Sequence, residues 1–158
     1  AVLAACRRAV VMRTSWVFGA HGQNFVKTML RLGRERDSLG IVADQYGAPT
    51  AAADIAAALI TIVRRHTPEQ LAERAGIYHY CGSPYASWFE FAETIFAEAA
   101  AQGVLAKIPA VKPIAMADYP TPAKRPADSR LDCGKIRAVF GIGPCDWHSA
   151  LSDLRPYL

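Results

Sequence analysis

The sequence lacks several features that would place it in a specialised class of proteins. Its four cysteines are isolated, with no Cys-x-x-Cys pair and no histidine at ligand spacing. A structural zinc site is therefore not indicated, and a reduced, cytoplasmic chain is the simpler account. Neither a signal-like segment nor an apolar run of about 18 residues occurs, which argues against a membrane protein.

Basic residues are scattered and do not form a stripe interleaved with aromatic residues. The 158 residues carry 18 Lys and Arg against 14 Asp and Glu, a net charge of +4. Nucleic acid is therefore not predicted as a partner. The length lies within the usual single-domain range of about 50–250 residues, and the hydrophobic content of 52% can supply a core.

Glycine-rich turns that seat dinucleotides are absent as well. None of the eleven glycines belongs to a Gly-x-Gly-x-x-Gly or Gly-x-x-Gly-x-x-Gly sequence. Such a turn holds the cofactor pyrophosphate between a strand and a helix. The chain by itself is therefore not expected to contain a complete dinucleotide site.

The most informative stretch of the sequence follows directly after a short apolar run. Ala9–Met12 is typical of a buried strand, which turns polar and aromatic at Arg13–Trp16 before Gly19 and Gly22 break the chain. Polar side chains are costly to bury without partners, and open α/β sheets bind ligands beyond the carboxyl ends of their strands. A ligand site is predicted here.

The remaining pattern predicts an α/β fold, with strands near 9–14, 40–44, 77–81 and 111–116 and about five helices. Residues that cap helices recur before the helical stretches: Asn24, Thr50, Ser87, Asp132 and Asp146. The helix after Thr50 is expected to bury one apolar face, formed by Ile55, Ala58, Leu59, Ile62 and Val63. Trp88 is assigned to the buried stripe of the helix that Ser87 begins through a capping box with Glu90.

Prolines concentrate near the end of the chain. Five of the ten prolines lie between Pro109 and Pro126, with Val111–Met116 as the strand-like run among them. Because proline restricts the backbone and removes amide donors, an extended surface strap is predicted. Its tail carries Lys124 and Arg125.

Ordered blocks along the whole chain resemble a known family. They are Arg-Thr-Ser-Trp-Val-Phe-Gly at 13–19, Asn-Phe-Val-Lys-Thr-Met-Leu at 24–30, Asp-Gln-Tyr-Gly-Ala-Pro-Thr at 44–50, Gly-Ile-Tyr-His-Tyr at 76–80, Arg-Pro at 125–126 and Ser-Arg-Leu-Asp at 129–132. Together they resemble the dTDP-4-dehydrorhamnose reductases of the extended short-chain dehydrogenase/reductase superfamily. Members of this family usually have Asn where Asp128 stands.

The resemblance implies a Rossmann-like fold and covers only the C-terminal half of such an enzyme. Residues 1–45 would end the dinucleotide-binding domain, and residues 46–158 would form the substrate-binding lobe. Family members use a Tyr-x-x-x-Lys pair, in which the lysine lowers the pKa of the tyrosine that donates the proton. No tyrosine here has a lysine four residues later, so no catalytic residue is assigned and the chain alone is expected to be inactive.

The resemblance also implies roles for particular residues. Substrate contacts are predicted for Trp16, Asn24 and Arg125, and cofactor contacts for Thr14 and Ser15, with NADPH or NADH as the cofactor and a dTDP-sugar as the substrate. For each substrate residue another role stays open: Trp16 as a core residue, Asn24 as a helix cap, and Arg125 as a solvated surface residue. No metal ligand is assigned.

Two other classes of function remain possible at this stage. The same fold half occurs in a partner-binding module, the non-catalytic regulatory subunit of methionine adenosyltransferase. An interaction protein without a ligand is the other reading. The match of residues 13–19 and 44–50 to the bacterial reductase pattern favours the enzyme, and a homodimer is a further possibility.

Overall fold

Helices alternate with short, mostly parallel strands along the chain, which confirms the predicted α/β class. The computed structural model describes residues 1–119 and 126–158. The strands of this part are β1 (Val10–Arg13), β2 (Val17–Phe18), β3 (Ser38–Val42), β4 (Tyr46–Gly47), β5 (Thr50–Ala51), β6 (Gly76–His79), β7 (Gly82–Ser83), β8 (Ala86–Ser87), β9 (Ala110–Ile114) and β10 (Cys145–Asp146).

Strand pairing brings distant parts of the chain together. Parallel pairs join β1 to β6, β2 to β5, β3 to β9 and β7 to β10, whereas β4 and β8 are antiparallel. The register of the first pair sets Arg13 opposite His79, so the carboxyl ends of β1 and β6 lie side by side. All four predicted strands are confirmed, as β1, β3, β6 and β9, with ends shifted by one or two residues.

The helices that the structure describes are α1 (Val2–Ala5), α2 (Phe25–Glu35), α3 (Ala52–Arg65), α4 (Pro68–Glu73), α5 (Trp88–Ala101), α6 (Gly134–Phe140) and α7 (Trp147–Leu151). Two short 3-10 turns follow β9 and α7, at Met116–Asp118 and Arg155–Tyr157. The longest helices are α3 and α5, with 14 residues each. In the part of the chain that is described, no helix is both long and apolar enough to cross a bilayer.

Three of the predicted helix caps are confirmed. The Asn24 side chain accepts a hydrogen bond from the Lys27 amide at 3.2 Å, and the Asp146 side chain accepts one from the His148 amide at 3.1 Å. The capping box of α5 is complete, because Ser87 accepts from the Glu90 amide while the Glu90 carboxylate accepts from the Ser87 amide.

Two predicted caps are wrong. Thr50 lies in β5 and is fully buried, where its hydroxyl donates to the Ala48 carbonyl at 3.0 Å and accepts from the Gly82 amide at 3.1 Å. Its side chain therefore ties two strands together and does not begin α3, whose N-cap is Ala51. Asp132 accepts from the Gly134 amide at 2.7 Å, but it precedes the N-cap of α6 by one residue.

The buried side chains form two hydrophobic clusters. The larger one gathers residues of β2, α2, β3, α5 and α7 around Phe18, Phe91 and Trp147. The smaller one gathers residues of α3, β6 and α6 around Ile62, Tyr78 and Phe140. The larger cluster takes buried side chains from both sides of residue 45, and Val10 and Met12 of β1 pack against the smaller one. The sequence predicted a domain boundary at residue 45, and that boundary stays a prediction.

Helix α3 differs from its predicted packing. Only Ala58 and Ile62 of its apolar positions are buried, and Ile55 packs against the smaller cluster. Leu59 and Val63 are 44% and 65% exposed, so the prediction that they join the core is wrong. Ile60 is also half exposed, which leaves an aliphatic ridge of Leu59, Ile60 and Val63 open to solvent.

Candidate functional site

The backbone of Trp16 is strained. This residue follows the carboxyl end of β1 and has a φ angle of 46°, which makes it the one residue other than glycine with a positive φ in the described chain. The left-handed region costs an L-residue with a bulky side chain about 1–2 kcal/mol. Such strain persists only where the surroundings fix the residue, and it concentrates at functional sites.

The surroundings of the indole supply that constraint. The Trp16 ring stacks on the Trp88 ring with 3.5 Å between centroids and 8° between planes. Its Nε1–H donates a hydrogen bond of 3.0 Å to the Ser129 hydroxyl, which donates in turn to the Tyr46 carbonyl at 3.1 Å. A Cβ on Gly47 would lie 2.2 Å from Cε2 of the indole, so glycine is the residue that fits there.

The strained tryptophan lines a small cavity of about 350 Å³. Its lining comes from four segments of the chain and consists of Ser15, Trp16, Gln45, Trp88, Pro126 and Ser129. This volume lies within the range of about 300–1000 Å³ that is usual for small-molecule sites. Two indoles and a few polar groups make a surface suited to a ring with one apolar face and several hydroxyls.

The segment after residue 125 is fixed to β4, and this places Ser129 beside the indole. The Tyr46 amide donates to the Ala127 carbonyl at 2.8 Å, and the Ser129 amide donates to the Tyr46 carbonyl at 2.9 Å. The Arg130 guanidinium donates one hydrogen bond to each oxygen of the Asp128 carboxylate, from Nε to Oδ1 and from Nη2 to Oδ2. These bonds lower the pKa of Asp128 to about 2. The carboxylate at the position where family members usually have Asn is therefore engaged by its own neighbour.

Thr14 and Ser15, the predicted cofactor residues, lie beside this cavity at the end of β1. Thr14 is exposed, whereas Ser15 is partly buried and its hydroxyl donates a long hydrogen bond of 3.4 Å to the Ala48 carbonyl. A dinucleotide site needs a seat for the pyrophosphate, and the sequence has no glycine-rich turn to provide one. The residues present therefore do not make a cofactor site by themselves.

Asn24, the second predicted substrate residue, lies in a different place. Its side-chain nitrogen donates to the Gly19 carbonyl at 2.7 Å, and its oxygen accepts from the Lys27 amide at 3.2 Å. Both ends of the amide are thus engaged in fixing the start of α2. The structural alternative is observed, and a contact between Asn24 and a ligand stays a prediction.

The cleft beside Asn24 is larger, about 1160 Å³, and it lies between β2, the start of α3 and the C-terminal residues. Two of its acidic residues, Asp146 and Asp153, serve local structure. Hydrogen bonds from Ser149 and His148 lower the pKa of Asp146, and those from Arg155 lower the pKa of Asp153 to about 2. By volume alone, this cleft would be the better candidate for a ligand site. We prefer the smaller cavity because the strained residue and the contacts between distant segments are there.

Buried titratable groups elsewhere are poorly suited to catalysis. Burial, together with the Cys133 thiol in contact at 3.5 Å, raises the pKa of the Cys81 thiol to about 12. Burial also raises the pKa of Tyr80. At neutral pH these groups are protonated and neither is a ready nucleophile or acid. Among residues 1–119 and 126–158, no three His, Cys, Asp or Glu side chains cluster in a way that could hold a metal ion.

Sequence reasoning found part of this site. It singled out Trp16 but assigned Trp88 to the core and gave no role to Gln45 or Ser129. Trp88 is half buried and does both, since it packs against the larger cluster and lines the cavity. Arg125, the third predicted substrate residue, lies outside the described residues.

Comparisons with known proteins show which family the chain resembles. Residues 1–156 match the model of the RmlD substrate binding domain. The chain is 53% identical over 150 residues to a dTDP-4-dehydrorhamnose reductase of Aggregatibacter actinomycetemcomitans, covering 95% of this chain and 51% of that protein. It is 45% identical over 154 residues to the enzyme of the same name from Sinorhizobium fredii, covering 98% and 51%.

A solved structure is similar as well. The dTDP-4-dehydrorhamnose reductase of Bacillus anthracis, in complex with NADP, matches with a TM-score of 0.76 and 34% identity, over 90% of this chain and 46% of that one. The chain therefore spans about half the length of the relatives it matches.

Proposed function

Because this chain belongs to the family of RmlD substrate binding domains, we propose that it forms the sugar-nucleotide-binding half of a dTDP-4-dehydrorhamnose reductase. The complete protein reduces the C4 ketone of dTDP-4-dehydro-L-rhamnose with NADPH or NADH, which gives dTDP-L-rhamnose for cell-envelope polysaccharides. One observation carries the proposal. A strained tryptophan at a strand end is clamped by residues from distant segments against a cavity of about 350 Å³.

Trp16 supplies the recognition surface in this proposal. An indole offers a flat apolar face, which fits the C–H face of a pyranose ring. The stack on Trp88 and the hydrogen bond to Ser129 fix the ring before the substrate arrives. A side chain that is already fixed loses little entropy on binding, so more of the contact energy contributes to affinity.

The catalytic groups belong to the rest of the protein in this proposal. A relative was solved with NADP, and Thr14 and Ser15 are proposed to contact the cofactor from this side of the site. The acid that protonates the carbonyl is outside the chain, since no tyrosine here has the neighbouring lysine. We also propose a cytoplasmic location, where the four cysteines stay reduced, and a homodimer as the assembly to test.

The test is Trp16→Ala in the intact reductase. Loss of the indole face is expected to raise KM for the sugar nucleotide by about tenfold, equivalent to about 1.4 kcal/mol, with a smaller change in kcat. Trp16→Phe, which keeps a flat ring, is the matched control and should lose less. A fall in melting temperature with an unchanged KM would assign Trp16 to the core alone.

The division of labour has its own test. The purified 158-residue chain should show no NADPH oxidation with dTDP-4-dehydrorhamnose, whereas the intact protein should. Activity of the 158-residue chain would overturn the assignment of catalysis to other residues.

Arg125 is proposed to neutralise the substrate diphosphate. If Arg125→Ala in the intact protein leaves the affinity for the sugar nucleotide unchanged at low salt, that contact does not exist.

A further inference from the structure

Gln45 is a polar side chain held at the edge of the proposed sugar site. It follows β3 and is only 7% exposed, yet it lines the cavity together with Trp16 and Trp88. Its neighbours are fixed on both sides. The Asp44 carboxylate accepts from the Met116 amide at 2.8 Å, and the Tyr46 amide donates to the Ala127 carbonyl. The backbone that carries Gln45 is therefore held in place.

The other polar side chains of the cavity are turned toward protein atoms. The Trp16 indole donates to Ser129, and the Ser129 hydroxyl donates to the Tyr46 carbonyl. The Ser15 hydroxyl is directed at the Ala48 carbonyl. Gln45 differs, because its side-chain amide has no hydrogen bond to any other residue within 1–119 and 126–158.

The Gln45 amide is also not sealed away from the cavity. In the described chain no side-chain nitrogen or oxygen is both fully enclosed and unpaired. A nearly buried amide that lines a cavity and has no described protein partner is available to a ligand. Leaving such a group unpaired is costly once water is excluded, so a ligand that pairs with it is favoured over one that does not.

We infer that Gln45 reads the hydroxyl pattern of the sugar, as a specificity-determining residue of the proposed reaction. The amide presents a donor and an acceptor side by side, and two neighbouring ring hydroxyls can accept from the one and donate to the other. A site that hydrogen-bonds a hydroxyl rejects analogues that lack it, because its own polar group is then left unpaired. This inference rests on the proposed function and names the group of the substrate that Gln45 contacts.

The experiment is calorimetry on the intact reductase with two ligands, dTDP-L-rhamnose and dTDP. Gln45→Met keeps the length of the side chain and removes both polar groups. It is expected to weaken dTDP-L-rhamnose binding about tenfold and to leave dTDP binding unchanged; tenfold corresponds to about 1.4 kcal/mol. Unchanged dTDP binding also shows that the variant is folded. Gln23→Met, which alters an exposed glutamine of the larger cleft, is the matched control and should bind both ligands normally.

A second ligand gives a sharper result. A dTDP-sugar that lacks one ring hydroxyl should bind the unchanged protein more weakly than dTDP-L-rhamnose. Gln45→Met should bind the two sugars with equal affinity, because the missing hydroxyl and the missing amide are the two partners of one hydrogen bond. Equal losses for dTDP and dTDP-L-rhamnose would assign the amide to the base and overturn the inference, and so would no loss at all. Failure of the unchanged protein to bind dTDP-L-rhamnose would instead overturn the proposed function.

Discussion

The cavity beside Trp16 and the cleft beside Asn24 differ in the contacts that hold their polar groups. In the larger cleft, Asp146 bonds to His148 and Asp153 bonds to Arg155, two residues away in each case. In the smaller cavity, Trp16 bonds to Ser129 across 113 residues. Short-range contacts finish helix ends wherever they occur, whereas a contact across most of the chain exists only in the folded protein. The larger cleft has the greater volume, whereas the side chains of the smaller cavity are held in place by contacts between distant segments. We chose the smaller cavity as the proposed site for that reason.

Gly47→Ala is expected to have the largest effect on this contrast. The new Cβ would lie 2.2 Å from the Trp16 indole, so the ring must leave its stack on Trp88. Overpacking of this kind destabilises by about 1–3 kcal/mol, and sugar-nucleotide binding should be lost with it. Denaturant unfolding and calorimetry on the intact protein measure both.

Gly22→Ala is the matched control, at a glycine between His21 and Gln23, which line the larger cleft. Gly22 has a φ of 70° with nothing within 4 Å of an added Cβ. It should lose stability through the backbone alone, by about 1 kcal/mol, and keep its affinity. Equal losses of affinity in the two variants would erase the distinction between the cavities.

Asn24→Ala separates the cap from the predicted ligand contact. Loss of an N-cap side chain costs about 1 kcal/mol, so the melting temperature should fall while KM stays constant. Asn24→Asp keeps the acceptor for the Lys27 amide but loses the donor to the Gly19 carbonyl, so it should restore only part of the stability. A rise in KM in both variants would show that the amide touches the substrate after all.

Trp16→Gly against Trp16→Ala measures the strain at the site. Both changes remove the indole, but only alanine keeps a Cβ at a φ of 46°. The glycine variant should be the more stable by about 1 kcal/mol, with equal losses of sugar-nucleotide affinity. Thermal unfolding compares them directly. An alanine variant as stable as the glycine variant would mean that the backbone relaxes once the indole is gone.

The smallest expected effect is that of acid on the ion pair between Asp128 and Arg130, which flanks Ser129. The pKa of Asp128 is about 2 in the folded protein, below its ordinary value of 3.8, because Arg130 holds the carboxylate. A lowered pKa contributes stability above the ordinary value, and this contribution is lost as the pH falls through about 2. Tryptophan fluorescence should therefore stay constant from neutral pH to about 4 and change below it. Asp128→Asn should remove that acid-dependent step.

The sequence was enough to predict the strands and the place of Trp16, because both depend on local patterns of residues. Local patterns carry the signal for an apolar strand that turns polar, so β1 and Trp16 could be predicted, as could the caps Asn24 and Ser87. The partners Gln45 and Ser129 carry no local signal, because their roles depend on pairings between β4 and the segment after residue 125. Thr50 looked like a cap for the same reason, since nothing local reveals that Gly82 needs its hydroxyl.

The aliphatic ridge of α3 has a practical consequence for every measurement on the separate chain. Leu59, Ile60 and Val63 present neighbouring apolar side chains to water, and exposed apolar patches favour self-association. Sulfate and phosphate buffers strengthen such association because these salts are excluded from protein surfaces. Solutions of the 158-residue chain should therefore scatter more light as sulfate is added, and a charged substitution such as Val63→Lys should keep them clear.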